Sequence, residues 1–118
     1  MNELVIYGIS NCDTVKKARA WLTAQGIGHR FHDFRRDGVP QDRLALWLTE
    51  LGADRVINRR GTTWRKLDAA AQTRAETDAL GLLSDHPSLI KRPVLEGKTW
   101  LSIGFGKAEQ EGLQAWRG

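Results

Sequence analysis

The sequence predicts an α/β domain built on a mixed four-stranded sheet, with its elements in the order βαβ, helices, ββα. Three observations lead there. Leu4-Val5-Ile6-Tyr7 is a short apolar run, the stretch after Cys12 repeats apolar residues three and four apart, and residues 29–34 are again rich in strand-forming aromatics. Strand, helix, strand makes a βαβ unit, whose two strands run parallel. Near the other end, Pro93-Val94-Leu95 and Trp100-Leu101-Ser102-Ile103 flank the turn Glu96-Gly97-Lys98, the pattern of a β-hairpin.

Gly8 closes the first strand. From Thr14, Val15, Ala18, Trp21 and Leu22 share one helical face and Gly26 stands at the C-cap, which predicts a helix of about three turns. His29-Arg30-Phe31-His32-Asp33-Phe34 forms the second strand and gives way to a polar loop, Arg35-Arg36-Asp37-Gly38. Pro40 opens a second helix in which Leu44, Trp47, Leu48 and Leu51 keep the i, i+3, i+4, i+7 spacing, and Gly52 ends it. Residues 53–83 read as a loop, through Val56-Ile57 and Asn58-Arg59-Arg60-Gly61, followed by one helix in the Ala-rich stretch from Ala69. Ser84 caps a further short helix with Asp85 and Pro87 in its first turn, and Arg92-Pro93 stops the helical run. After the hairpin, Gly104-Phe105-Gly106 breaks the strand and a last helix turns Ala108, Leu113 and Trp116 inward. The layout is that of a thioredoxin-like fold, a single domain over residues 1–118 with a helical insertion at about residues 40–91.

The chain has 118 residues, 41% hydrophobic and 27% charged, enough to bury a core without disulfides or a structural metal and too apolar to be disordered. No apolar run approaches the roughly 18 residues of a membrane helix. Met1-Asn2-Glu3 lacks the basic region of a signal peptide, and a single cysteine cannot form an internal disulfide. A cytoplasmic protein with a free thiol and no membrane partner is expected. The net charge of +4 is spread among 14 acidic residues, with no RNP-like aromatic motif and no basic block, which argues against a nucleic-acid partner. His29 and His32, three apart on a strand, point to opposite faces, so no metal site is expected from them. Most of the five tryptophans fall at helical or strand core positions, which favours packing over base stacking.

The chemistry concentrates at Cys12. Its predicted place is at or just before the first helix, where unpaired backbone N–H groups and the helix dipole stabilise a thiolate. Lys16 and Lys17 add cations in the first turn, so the thiol is expected to titrate below the free-cysteine value of about 8.5. A free cysteine is often an inert buried hydrophobe. Here Ser10, Asn11, Asp13 and Thr14 surround it with polarity, as at an exposed turn. Lys16, Lys17 and Arg19 also run against the acidic preference of a helix's first turns, which hints at an anion site.

Three strings carry a resemblance: Asn11-Cys12-Asp13-Thr14-Val15-Lys16-Lys17-Ala18, Arg59-Arg60-Gly61-Thr62-Thr63-Trp64-Arg65-Lys66-Leu67, and Leu89-Ile90-Lys91-Arg92-Pro93. In this order and spacing the chain resembles the arsenate reductase (ArsC) family, in its Spx-like branch, over nearly its whole length. The resemblance implies a thioredoxin-like fold with a helical insertion. It implies that Cys12 is the nucleophile and that Arg92, before Pro93, is one oxyanion-binding arginine, with Arg60, or Arg59, as a second. Asn11, Lys16 and Pro93 are the further residues expected to bind substrate or oxyanion, Pro93 resembling the cis-proline that thioredoxin folds place opposite the active cysteine. The third family arginine falls near residues 101–106, where this chain has none, and Lys107 is the cation nearest in sequence.

The resemblance implies an oxidoreductase with one nucleophilic cysteine, a glutathione-dependent thiol reductase or arsenate reductase-like enzyme. No bound cofactor or metal is expected, and glutathione is the expected co-substrate. Expected partners are glutathione, glutathione mixed disulfides and glutaredoxin. The alternatives are an Spx-like regulator that binds RNA polymerase, an arsenate reductase proper, and an oxyanion-binding module without turnover. Spx senses redox through a Cys-x-x-Cys pair; here Val15 holds the second position.

Overall fold

The computed structural model describes residues 3–116. It divides into two compact units, one formed by the chain up to Gly38 together with the chain from Arg92, the other by Val39–Lys91. The first unit carries the sheet. β1 (Leu4–Gly8) pairs in parallel with β2 (His29–Asp33), and β1 pairs antiparallel with β3 (Val94–Glu96), which pairs antiparallel with β4 (Leu101–Ile103). The strand order is β2-β1-β3-β4, so the mixed four-stranded sheet expected from the sequence is present.

Helix α1 (Asp13–Ala24) makes the crossover from β1 to β2. Val15, Ala18 and Leu22, at i, i+3 and i+7, are fully buried. The helix stops in a Schellman motif: Gly26 has φ 71° and donates its N–H to Thr23 O, while Ile27 donates to Leu22 O. A side chain at Gly26 would strain that left-handed turn. Ile27 then joins Leu22 in one apolar cluster with Leu4, Ile6, Ala18, Leu95 and Leu113, the last from helix α8 (Lys107–Trp116). Trp21, Trp100 and Trp116 pack against it half-buried. Each fully buried Leu or Ile contributes about 1.5–3 kcal/mol, so this cluster holds α1 and α8 on the sheet. Ala108, expected inside, is exposed; of the three predicted inner residues only Leu113 is fully buried.

The stretch after β2 differs from the expected loop. Phe34 leaves the strand and opens a one-turn helix, α2 (Phe34–Asp37), because Asp33 Oδ1 accepts the Arg35 N–H at 2.9 Å as its N-cap. Asp37 Oδ2 accepts the Asp33 N–H in return, and Arg36 pairs with Asp37 at 2.8 Å. Phe34 is buried, with its ring stacked at 6.3 Å on Tyr7.

The second unit is helical. α3 (Gln41–Leu51) buries Leu44 and Trp47 and ends at Gly52, as its periodicity predicts. Residues 53–68 are not a plain loop: they hold α4 (Ala53–Val56) and α5 (Thr62–Lys66), with Ile57 bridged antiparallel to Ile90 between them. The Ala-rich stretch is two helices rather than one, α6 (Ala69–Thr77) and α7 (Ala79–Asp85). Asp68 caps the first by accepting from Ala71 N, and Asp78 interrupts the run by capping the second through Gly81 N. Ser84 is not a cap; its hydroxyl donates to Leu80 O inside α7, which continues because Leu82 and Leu83 are fully buried. A 3-10 turn at Pro87–Leu89 comes next.

Candidate active site

Topology brings the thiol and one arginine together. β1 and β3 run antiparallel with Tyr7 opposite Val94, so the C-terminal end of β1 and the start of β3 lie at the same edge. Cys12 follows β1 by four residues and Arg92 precedes β3 by two. Ligand sites of open α/β sheets commonly form outside the carboxyl ends of the strands. The Arg92–Pro93 peptide bond is cis, Pro93 is buried, and Pro93 O accepts the Gly104 N–H at 2.8 Å.

Cys12 is the N-cap of α1, with extended φ −108° and ψ 122°, and its carbonyl accepts the Lys16 N–H at 2.9 Å. Its sulfur takes the place that a capping Ser or Asp oxygen usually fills. Its side chain makes no capping hydrogen bond, but backbone and side-chain donors favour its ionised form. Partial burial, the largest single influence, pushes the thiol up. The Val15 N–H, the hydrogen bond and charge of Arg92, and the Thr14 N–H together outweigh it, and the thiol lies below its ordinary value. The cation that acts on the sulfur is therefore Arg92. Lys16 and Lys17, to which the sequence assigned that role, are exposed on α1 and are not among the groups that shift it. Asn11 is exposed in the turn before the thiol.

Gly8 is a site residue that sequence reasoning reads only as the end of a strand. A Cβ there would lie 2.7 Å from Val15 Cγ2, so the bare glycine lets the first turn of α1, with its amides, seat against β1. Gly8→Ala is expected to cost about 1–3 kcal/mol by overpacking and to lower Tm by roughly 3–18 °C. In thermal denaturation, Gly8→Ala with Val15→Ala should lose less than the two single losses added together, because the pair shares one contact.

Arg60 belongs to the helical unit. It is exposed, its N–H donates to Asn58 Oδ1 and its carbonyl accepts from Arg65. Arg59 pairs with Asp54 at 3.0 Å and covers the Trp64 ring at 5.2 Å. In the segment expected to hold a third arginine there are β4 and Gly104; Lys107 starts α8 and sits 3.9 Å from Glu111. His29 Nδ1 bonds Ile27 O and His32 Nε2 bonds Gly38 O. Among the described residues no group of three or more His, Cys, Asp and Glu is placed to hold a metal ion, and no helix is long and apolar enough to cross a membrane.

A family model described as the ArsC family matches residues 7–113. A solved structure named as a YFFB protein is 40% identical with TM-score 0.87 and covers 98% of this chain and 99% of its own. A protein of Haemophilus influenzae, described as uncharacterized, is 42% identical over 109 residues, 92% of this chain and 96% of its own length. A global transcriptional regulator Spx of Streptococcus pyogenes is 30% identical over 101 residues, 84% of this chain and 75% of the regulator.

Proposed function

The chain belongs to the ArsC family, in its Spx- and YffB-like part, and on that premise we propose that it is a glutathione-dependent thiol reductase with Cys12 as its one nucleophile. The observation that carries this reading is the position of Cys12 as N-cap of α1, where the Val15 and Thr14 N–H groups and Arg92 lower its pKa. The thiolate attacks the glutathionyl sulfur of a mixed disulfide. A bond forms between Cys12 Sγ and that sulfur, the original S–S bond breaks, and the other thiolate leaves. A reduced glutathione thiolate then attacks the Cys12 adduct, releasing oxidised glutathione and restoring the Cys12 thiolate. External glutathione is needed because the chain has no second thiol.

Arg92 has two tasks in this scheme: it holds the thiolate, and its fork suits a glutathione carboxylate. Within the helical unit Arg60 is exposed, whereas Arg59 is engaged by Asp54 and Trp64. Arsenate reduction ranks behind thiol exchange because residues 101–106 offer no third arginine fork. Incubation with oxidised glutathione should add one glutathionyl group at Cys12 by intact mass, and reduced glutathione should remove it. A chain that stays unmodified contradicts the reading.

The 30% identity to a transcriptional regulator Spx favours one second reading, a regulator that binds RNA polymerase. An internal disulfide switch is closed to it. Stoichiometric capture of RNA polymerase, unchanged in Cys12→Ser, would support that reading over the reductase.

A further inference from the structure

Along α1 below the thiol runs an open groove of about 510 Å³, lined by Lys16, Arg19, Ala20, Thr23, Ala24 and His29. We propose that this groove receives a carboxylate-bearing arm of the glutathione disulfide that reacts at Cys12, a subsite separate from Arg92. The inference rests on the glutathione reading of the same thiol.

Position comes first. Lys16 is one helical turn beyond Cys12 and Arg19 the next residue on that face, about 6 and 10 Å along the axis at 1.5 Å per residue. At 100° per residue Lys16 and Arg19 share the face of α1 that begins at Cys12. A tripeptide extends about 10 Å, so a carboxylate carried on a thiol held at Cys12 falls within their span.

Charge and shape agree. Among the described residues no carboxylate lines the groove, and Arg19 is held over the Phe31 ring at 4.3 Å, which pre-orders its guanidinium. His29 is fixed by its Nδ1 contact with Ile27 O. Ala20, Thr23 and Ala24 provide a small, partly apolar floor that fits a peptide body. The cations are strung along two turns rather than converging on one point, which suits an extended ligand with charge at its end better than a compact oxyanion.

The test compares two disulfides of equal chemistry and unequal charge. Rates of mixed-disulfide formation at Cys12 are measured with oxidised glutathione and with the uncharged 2-hydroxyethyl disulfide, in the wild type and in Lys16→Gln/Arg19→Gln. The ratio of the glutathione rate to the uncharged rate should fall about fivefold in the double variant at low salt, and the difference should shrink at high salt. Because the uncharged disulfide reports on the thiolate and on folding in the same sample, general damage cancels in the ratio. An unchanged ratio in a wild type that does react with oxidised glutathione overturns the groove proposal alone. A wild type that reacts with the uncharged disulfide and not with oxidised glutathione overturns both the groove and the glutathione reading.

Discussion

Cys12→Ser is expected to lose all measurable glutathione-dependent turnover while keeping its fold. The chain has one thiol, and a serine hydroxyl is not ionised at neutral pH, so no other side chain can form the mixed disulfide. The structural effect should be small or favourable. Cys12 is the N-cap of α1 and makes no capping hydrogen bond as a thiol, whereas serine is among the preferred N-caps, worth about 0.5–2 kcal/mol over a residue that does not cap. A Tm at or above that of the wild type, with no turnover of a glutathionylated peptide in a coupled assay, is the expected pair of results. Turnover that persists in the serine variant rules out Cys12 as nucleophile.

Arg92→Ala is expected to slow alkylation of Cys12 at pH 7 by about three- to tenfold. A hydrogen bond to a charged group contributes about 1.5–3 kcal/mol, and the partial exposure of this site brings the effect below that range, to about 0.7–1.4 kcal/mol. The sign comes from the direction of the shift. Arg92 lowers the thiol by hydrogen bond and charge, so its removal raises the midpoint and reduces the thiolate fraction at neutral pH. Above the ordinary thiol range both forms are fully ionised and the rates should converge, with the variant slightly faster because a more basic thiolate is the better nucleophile. Arg92→Lys keeps the charge without the planar fork and should fall between. Equal rates for all three proteins across the pH range would separate Arg92 from the thiol.

The first half of this geometry was legible because it is local. Leu4-Val5-Ile6-Tyr7, the spacing of Val15, Ala18 and Leu22, and Gly26 place a strand, a helix and the cysteine between them by short-range rules alone. The cation was misassigned for the opposite reason. Lys16 and Lys17 are near Cys12 in sequence and exposed, whereas Arg92 reaches the sulfur only through the antiparallel pairing of β1 with β3, which no local pattern displays. The resemblance named Arg92, but as a ligand for an oxyanion rather than as the thiolate's partner. Gly8 carries no chemistry of its own, and its importance lies in the space its missing Cβ leaves to Val15.

The helical unit was legible where periodicity was strong, as in α3, and not where alanine replaced it. Residues 69–85 have little apolar pattern, so the break at Asp78 rests on one carboxylate that caps α7, and a Ser-x-x-Pro sequence suggested a cap that buried Leu82 and Leu83 override. The same holds at Asp33, where a cap side chain turned an expected loop into the single turn of α2.

The central claim is that the start of α1 and Arg92 lower the pKa of Cys12. The pH dependence of iodoacetamide alkylation of the folded protein tests it without any assumption about substrate. A midpoint below the free-thiol value of about 8.5, rising in Arg92→Ala, is the predicted result. A midpoint at that ordinary value, or a thiol that reacts only once the chain unfolds, would contradict it.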